Sequence, residues 1–260
     1  MFMFSRKDSQ SPAGARGYRA YVVGDVHGRL DLLDALLDKI HADMEQREPR
    51  ETILVFVGDL IDRGPSSAGV IERLRNYQRP GVRPVFLLGN HEEVLLRILD
   101  GEASLIPNWL RFGGAQCLAS YGGDPRLLAG LSDDQAVAAV REAVRPEHAQ
   151  FIREFVDTFR FGDYLVVHAG IRPGIALDEQ RQADLRWIRE PFLLDDSDHG
   201  FVVVHGHTIH RKVQEKANRI GIDTGAFAHG VLTALAIDGP DRWFLEARVG
   251  SDIAAIAVTH

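Results

Sequence analysis

Three times in the first third of the chain an apolar run breaks off at a glycine followed by a polar residue. Arg19-Ala20-Tyr21-Val22-Val23 stops at Gly24-Asp25, Thr52-Ile53-Leu54-Val55-Phe56-Val57 at Gly58-Asp59, and Val85-Phe86-Leu87-Leu88 at Gly89-Asn90. Between these runs the apolar residues follow helical spacing: Leu30, Leu33, Leu36, Leu37 and Ile40 over 30–41, then Val70, Ile71 and Leu74 over 66–77. The pattern predicts strand, polar loop, helix, repeated. Near-continuous Val, Ile and Leu mark strands buried on both faces, so parallel pairing under helices and an α/β class are expected. Ligands in such sheets gather at the carboxyl ends of the strands.

From Glu92 to about Phe161 β-branched runs are few, and helical patterns recur at 133–144 and 147–159. A helical insertion over about 92–161 is expected, with 108–114 joining two of its helices. Strand patterns return at 164–167, 201–204, 219–222, 232–237 and 243–248. Helical signals between them are few, which predicts a second, largely antiparallel sheet. Residues 1–17 are polar and rich in Ser, Gly and Arg, and are expected to form a disordered lead-in. Residues 18–260 then make a single domain.

Composition narrows the classes. At 260 residues, with 45% hydrophobic and 26% charged, the chain can bury a core without staples. Its one cysteine, Cys117, excludes an internal disulfide framework and a Cys-rich zinc or iron–sulfur site. A reducing, cytoplasmic setting is expected from it. No apolar run approaches the ~20 residues of a membrane span, and the start lacks the apolar stretch of a signal peptide. A formal net charge of −7 argues against broad nucleic-acid binding. Neither a membrane nor a nucleic acid is an expected partner, and the oligomeric state is not legible. The acidic run Asp195-Asp196-Ser197-Asp198 lacks the ligand spacing of a calcium loop and is expected as a solvated turn.

The strand ends carry the candidate chemistry. Gly24-Asp25-Val26-His27-Gly28 places a carboxylate and an imidazole two residues apart, a pair suited to a divalent metal of intermediate hardness. Alone, Asp and Gly also end strands for plain turn reasons. Gly58-Asp59-Leu60-Ile61-Asp62-Arg63-Gly64 repeats the arrangement and adds a second carboxylate and a guanidinium. Gly89-Asn90-His91-Glu92, Val167-His168-Ala169-Gly170 and Val204-His205-Gly206-His207-Thr208 follow in order. Five such endings fit a two-metal site whose net positive charge would attract a phosphate.

In this order the motifs resemble the phosphoprotein phosphatase family of calcineurin-like metallophosphoesterases, most of all its small bacterial and phage members. The resemblance runs from about Arg19 to Ile237 and includes Ile222-Asp223-Thr224-Gly225-Ala226. It implies two β-sheets packed face to face with helices outside. It also implies Asp25 and His27 on a first metal, Asp59 bridging, and Asn90, His168 and His207 on a second. His91 would be the general acid with Asp62 fixing its tautomer. Arg63, Asn90 and, after Trp187-Ile188, Arg189 would hold the phosphate. The implied cofactor is two divalent ions, manganese first and iron or zinc as alternatives. Attack would come from bridging metal-bound hydroxide, without a phosphoenzyme. The implied substrate is a phosphoprotein or phosphopeptide, dephosphorylated at serine or threonine and also at tyrosine.

Two other functions compete. Symmetrical diadenosine tetraphosphate hydrolases share the metal ligands but typically carry Ala-Arg-Gly in place of Asp62-Arg63-Gly64, and Asp in place of Glu92. A non-catalytic scaffold is disfavoured because every expected ligand, His91 and Arg63 are present. His205 is expected to be structural or to support the site from behind. His41, His148, His199, His210, His229 and His260 are given no role.

Overall fold

Alternation within each strand decides where the core sits. The computed structural model describes residues 11–250. Its first half runs β1 (Tyr18–Val23), α1 (Leu30–Glu45), β2 (Glu51–Phe56), α2 (Ser67–Arg75), β3 (Val82–Phe86) and α3 (Asn90–Leu99). Helices α4 (Ile106–Trp109), α5 (Ala115–Ser120), α6 (Asp133–Ala143) and α7 (Pro146–Arg153) follow. The rest is β4 (Thr158–Phe161), β5 (Tyr164–Val167), α8 (Gln182–Trp187), β6 (Val202–His205), β7 (Gln214–Glu215), β8 (Arg219–Gly221), α9 (Ala226–His229), β9 (Val231–Asp238) and β10 (Asp241–Arg248).

Tyr21, Val23, Leu54 and Phe56 face the helices and pack with Leu33, Leu36, Leu37, Val70, Ile71 and Leu74. Their neighbours Ala20, Val22, Ile53 and Val55 face the other way, onto Tyr164, Val166, Val202, Val204 and Ile220 of a second sheet. Two-sided burial is why the apolar runs are continuous rather than alternating. The outer face of the second sheet is closed by Leu185, Ile188 and Phe192 over Leu165, Val167 and Val203.

The first sheet has the order β10-β9-β1-β2-β3, with β1, β2 and β3 parallel as expected. The second sheet corrects the expectation. Its order is β4-β5-β6-β8-β7, and its centre, β5-β6-β8, is parallel. Strands β9 and β10, expected in this sheet, instead extend the first sheet, β9 antiparallel to β1 and β10 antiparallel to β9. The misreading has a physical source. The crossover from β5 to β6 holds only α8 and short turns, so the helical signal that usually marks parallel strands is weak. The helix expected over 147–159 ends with α7 at Arg153, because Thr158–Phe161 pairs antiparallel with β5. Tertiary pairing there outweighs local periodicity.

Part of the expected lead-in is held rather than solvated. The Ala13 N–H donates to Asp163 Oδ2 at 2.9 Å and the Gly14 N–H to Gly239 O at 2.7 Å. Residues 11–17 therefore do not fit a disordered lead-in, and residues 1–10 lie outside the described residues. Among the described residues no helix is long and apolar enough to cross a membrane.

Candidate metal centre

The carboxyl ends of both sheets open on one place. Asp25 and His27 follow β1, Asp59 to Arg63 follow β2, and Asn90 and His91 begin α3. His168 follows β5, His207 follows β6 and Asp223 follows β8. All of these except Arg63 are buried. His27, Asp59, Asp62, Arg63 and His207 have φ between 46° and 70°, and among the described residues no other non-glycine residue has positive φ. Such backbone costs about 1–3 kcal/mol per residue and persists only where surrounding structure enforces it.

Glu92 supplies much of that enforcement. Its buried carboxylate accepts the N–H groups of Asp59 at 2.8 Å, Leu60 at 2.7 Å, Ile61 at 3.2 Å and Gly89 at 3.1 Å. A Cβ on Gly89 would stand 2.3 Å from Asp59 Oδ1 and 2.6 Å from Glu92 Oε2, so only glycine lets the two strand ends approach. In the sequence Glu92 served only to separate two functions, and its clamping of the Asp59 loop was missed. An acid three positions into a helix after a glycine was the available signal.

Asp59 stands between two groups of side chains. The ligand atoms of His27, Asp59 and His91 lie within 4.8 Å of one another, as do those of Asp59, His168 and His207. Asp59 Oδ2 is 3.6 Å from His27 Nε2, and Oδ1 is 3.4 Å from His168 Nε2. Asn90 Oδ1 joins the second group, 2.9 Å from His207 Nδ1 and 3.0 Å from His168 Nε2. His27 Nδ1 contacts Ile61 O and His168 Nδ1 contacts Val57 O, both at 2.8 Å, which turns each Nε2 toward Asp59.

The second predicted ligand set is therefore brought together. The first differs, because its tight trio contains His91 rather than Asp25. Asp25 lies in the same buried region, with Oδ2 accepting the His207 N–H at 3.0 Å. Its Oδ1, His27 Nε2 and His207 Nε2 are buried with no hydrogen-bond partner. Unpaired buried acceptors need an explanation. A converging set of nitrogen and oxygen donors without thiolate fits divalent cations.

Electrostatics separates the histidines by task. Burial pushes His27, His168 and His207 down, His207 to about 3, so their lone pairs are free for a cation at neutral pH. Burial alone would raise Asp59, but the imidazoles of His168, His91, His27 and His207 hold it below the usual carboxylate range. Burial pushes Asp25 well up, and the Asp223 and Asp59 carboxylates add to the rise. Asp223 accepts the Gly225 N–H at 2.9 Å through Oδ1, while Oδ2 has no partner. Burial, with Asp59 nearby, pushes Asp223 up to about 6. It was given no role in the sequence beyond its place in the stretch 222–226, although it ends an apolar run as Asp25 and Asp59 do.

His91 is different. Its Nδ1 is 2.6 Å from Asp62 Oδ2, and its Nε2 is 3.1 Å from Arg63 Nη2. Burial pulls it down, but Asp59 and the Asp62 hydrogen bond outweigh that, and it ends above the usual histidine value. Above these groups opens a cleft of about 420 Å³. Asn90, His91 and His207 form its floor, and Arg63 and the predicted Arg189 reach into it. Trp109, Phe112 and Trp187 stand along its walls, with Phe112 57% and Trp187 42% exposed. His205 turns away from the cleft and meets Phe192 edge to face, with ring centroids 5.2 Å apart.

The comparisons agree with this geometry. The sequence pattern of the calcineurin-like phosphoesterases matches residues 18–231. Serine/threonine-protein phosphatase 1 of Salmonella typhimurium is 31% identical over 232 residues, covering 86% of this chain and 94% of the relative. An asymmetrical bis(5'-nucleosyl)-tetraphosphatase of Halalkalibacterium halodurans is 27% identical, covering 82% of this chain and 88% of the relative. Among solved structures, a candidate diadenosine tetraphosphatase superposes with a TM-score of 0.63 at 22% identity, covering 93% of this chain and all of the other, a likeness of fold. Two packed sheets with histidines and carboxylates gathered at their strand ends, and a match to a phosphatase over 86% of the chain, lead to one assignment: the chain belongs to the calcineurin-like phosphoesterases and is a phosphoester hydrolase.

Proposed function

We propose that this hydrolase removes phosphate from serine and threonine side chains of proteins, with two divalent ions held at the convergent strand ends. One observation carries the reading: His91 Nδ1 meets the buried Asp62 carboxylate at 2.6 Å, which aims Nε2 into the cleft floor beside Arg63. Alkoxide leaving groups are strongly basic and need a proton as the ester bond breaks. The leaving group of a polyphosphate anhydride is already a weak base and needs none. An acid built with this care therefore favours a phosphomonoester of an alcohol. The relative matched over 94% of its length, a serine/threonine-protein phosphatase, points the same way.

The residues take these roles. Asp59 would serve both ions, His27 and Asp25 the first, and Asn90, His168 and His207 the second. Manganese is the proposed ion, and iron or zinc suits the same donors. Bound there, the ions supply Lewis acidity toward phosphoryl oxygen and activate water. Arg63 and Arg189 bind phosphate oxygens through planar guanidinium groups, which lysine does not imitate. With Arg63 drawn from Nε2 to the phosphate, a protonated His91 would give its Nε2 proton to the leaving oxygen while Asp62 holds Nδ1.

A second reading, hydrolysis of dinucleoside tetraphosphates, is favoured by the aromatic walls Trp109, Phe112 and Trp187, which could stack a base. The test is side-by-side turnover by metal-stripped protein refilled with Mn²⁺. Much faster hydrolysis of a phosphothreonine peptide than of diadenosine tetraphosphate is expected, and the reverse would overturn the protein phosphatase reading.

A further inference from the structure

One segment of the cleft wall grips the acid and phosphate-binding residues of the floor directly. Between α4 and α5 the chain makes a single wide helical turn, 110–114, kinked at Gly113 where φ is 119°. The Gly113 carbonyl accepts the Arg63 N–H at 3.0 Å. A Cβ on Gly113 would lie 2.5 Å from that nitrogen and 2.6 Å from Arg63 Cγ, so no side chain fits between the turn and Arg63. Just before the turn, Trp109 Nε1 donates to Asp62 Oδ1 at 3.2 Å, and Asp62 Oδ2 is the oxygen that meets His91.

Asp62 and Arg63 need this support. Both are left-handed, with φ of 70° and 66°, a conformation that an unsupported loop would leave. The Asp62 N–H also donates to Ser67 Oγ at 2.9 Å. Ser67 opens α2, and the next residue, Ala68, donates its N–H to Ser120 Oγ of α5 at 3.0 Å. The insertion thus reaches the loop from two sides. Trp109 also lines the cleft, so the residue that holds Asp62 is within reach of substrate.

We propose that the 109–114 turn is a positioning element for catalysis, in which Trp109 aims His91 through Asp62 and Gly113 seats Arg63 for the phosphate. It rests on the reading of His91 as general acid. Trp109 and Gly113 act through other residues. The consequence is specific. Losing the Trp109 donor harms only reactions in which the leaving group needs a proton, and crowding Gly113 harms phosphate binding.

The experiment compares two substrates of Mn²⁺-loaded enzyme, a phosphothreonine peptide and p-nitrophenyl phosphate, whose phenolate leaves without help. Trp109→Phe keeps an aromatic ring and removes the N–H. Its kcat should fall about tenfold on the peptide and less than about twofold on p-nitrophenyl phosphate, since small misplacements of a catalytic group carry such losses. Equal losses on both substrates, or none, overturn the proposal. His91→Asn is measured alongside. If His91→Asn discriminates between the substrates and Trp109→Phe does not, this proposal fails while the acid reading stands. If His91→Asn does not discriminate, the acid reading itself fails. Gly113→Ala should raise the inhibition constant of inorganic phosphate about tenfold with bound metal unchanged. An unchanged constant overturns the Arg63 half, and Trp109→Phe decides the proposal if Gly113→Ala does not fold.

Discussion

The floor and the wall of the cleft are built on opposite principles. The floor is buried, strained and charged: five left-handed residues, three close carboxylates and several unpaired acceptors, clamped by Glu92. The wall is helical, apolar and partly exposed, with Phe112 and Trp187 open to solvent. A floor of this kind costs stability and is retained for chemistry, whereas a wall of this kind shapes what can approach. Apart from Trp109 and Gly113, which grip the floor directly, wall positions should therefore govern substrate choice, and floor substitutions should cost far more activity.

The sharpest way to break that contrast is at Asp59. Asp59→Asn removes the one carboxylate shared by both groups of ligands, and metal catalysis contributes several kcal/mol. Turnover should fall by about 10⁴-fold or more, with loss of bound metal measured by elemental analysis. Retained activity would place the chemistry elsewhere. His91→Asn comes next. It should lower kcat on a phosphothreonine peptide by ~10²–10⁴ while metal content survives. A collapse of metal content would instead make His91 a ligand, in keeping with its place in the tight trio with His27 and Asp59.

The wall should answer differently. Phe112→Ala and Trp187→Ala remove aromatic surface without touching the floor, and an aromatic contact carries about 0.5–1.5 kcal/mol beyond its buried area. KM for the preferred large substrate should rise roughly three- to tenfold, with kcat nearly unchanged and p-nitrophenyl phosphate little affected. A large fall in kcat with metal intact would erase the distinction between the two regions.

The same contrast explains what the sequence made legible. Floor residues announce themselves because an apolar strand must stop before a polar ligand, so Asp25, Asp59, Asn90, His168 and His207 each follow a run with a clear end. Their chemistry and their local structure are written in the same few residues. Arg189 was found only through its neighbour Trp187. Glu92 and Asp223 were passed over because an acid after a histidine and an acid before Thr-Gly have ordinary local explanations, and their importance comes from partners distant in sequence. The destinations of β9 and β10 were illegible for a related reason. An apolar run records that a strand is buried on both faces, and says nothing of which sheet it joins. The wall is the least legible part, since Trp109 and Phe112 fall in a stretch expected only to join two helices.

The smallest predicted effect is one of stability, and it asks whether the floor is strained by charge. Asp223 lies with Asp25 and Asp59 in one buried region, its pKa pushed up to about 6 from a usual 3.8. A carboxyl group with a raised folded-state pKa keeps its proton after the unfolded chain has lost one. As pH rises from about 4 to about 6, folding therefore becomes less favourable, and above that the whole penalty is present. Asp223→Asn keeps an oxygen to accept the Gly225 N–H and discards the charge. In metal-free protein at pH 8 the variant should melt at a higher temperature than the wild type, and the difference should shrink toward pH 4. With Mn²⁺ bound the gain should vanish or reverse, because the cations already offset the carboxylates. If Asp223→Asn lowers the melting temperature equally with and without metal, Asp223 is an ordinary packing residue, and charge is not what sets the floor apart from the wall.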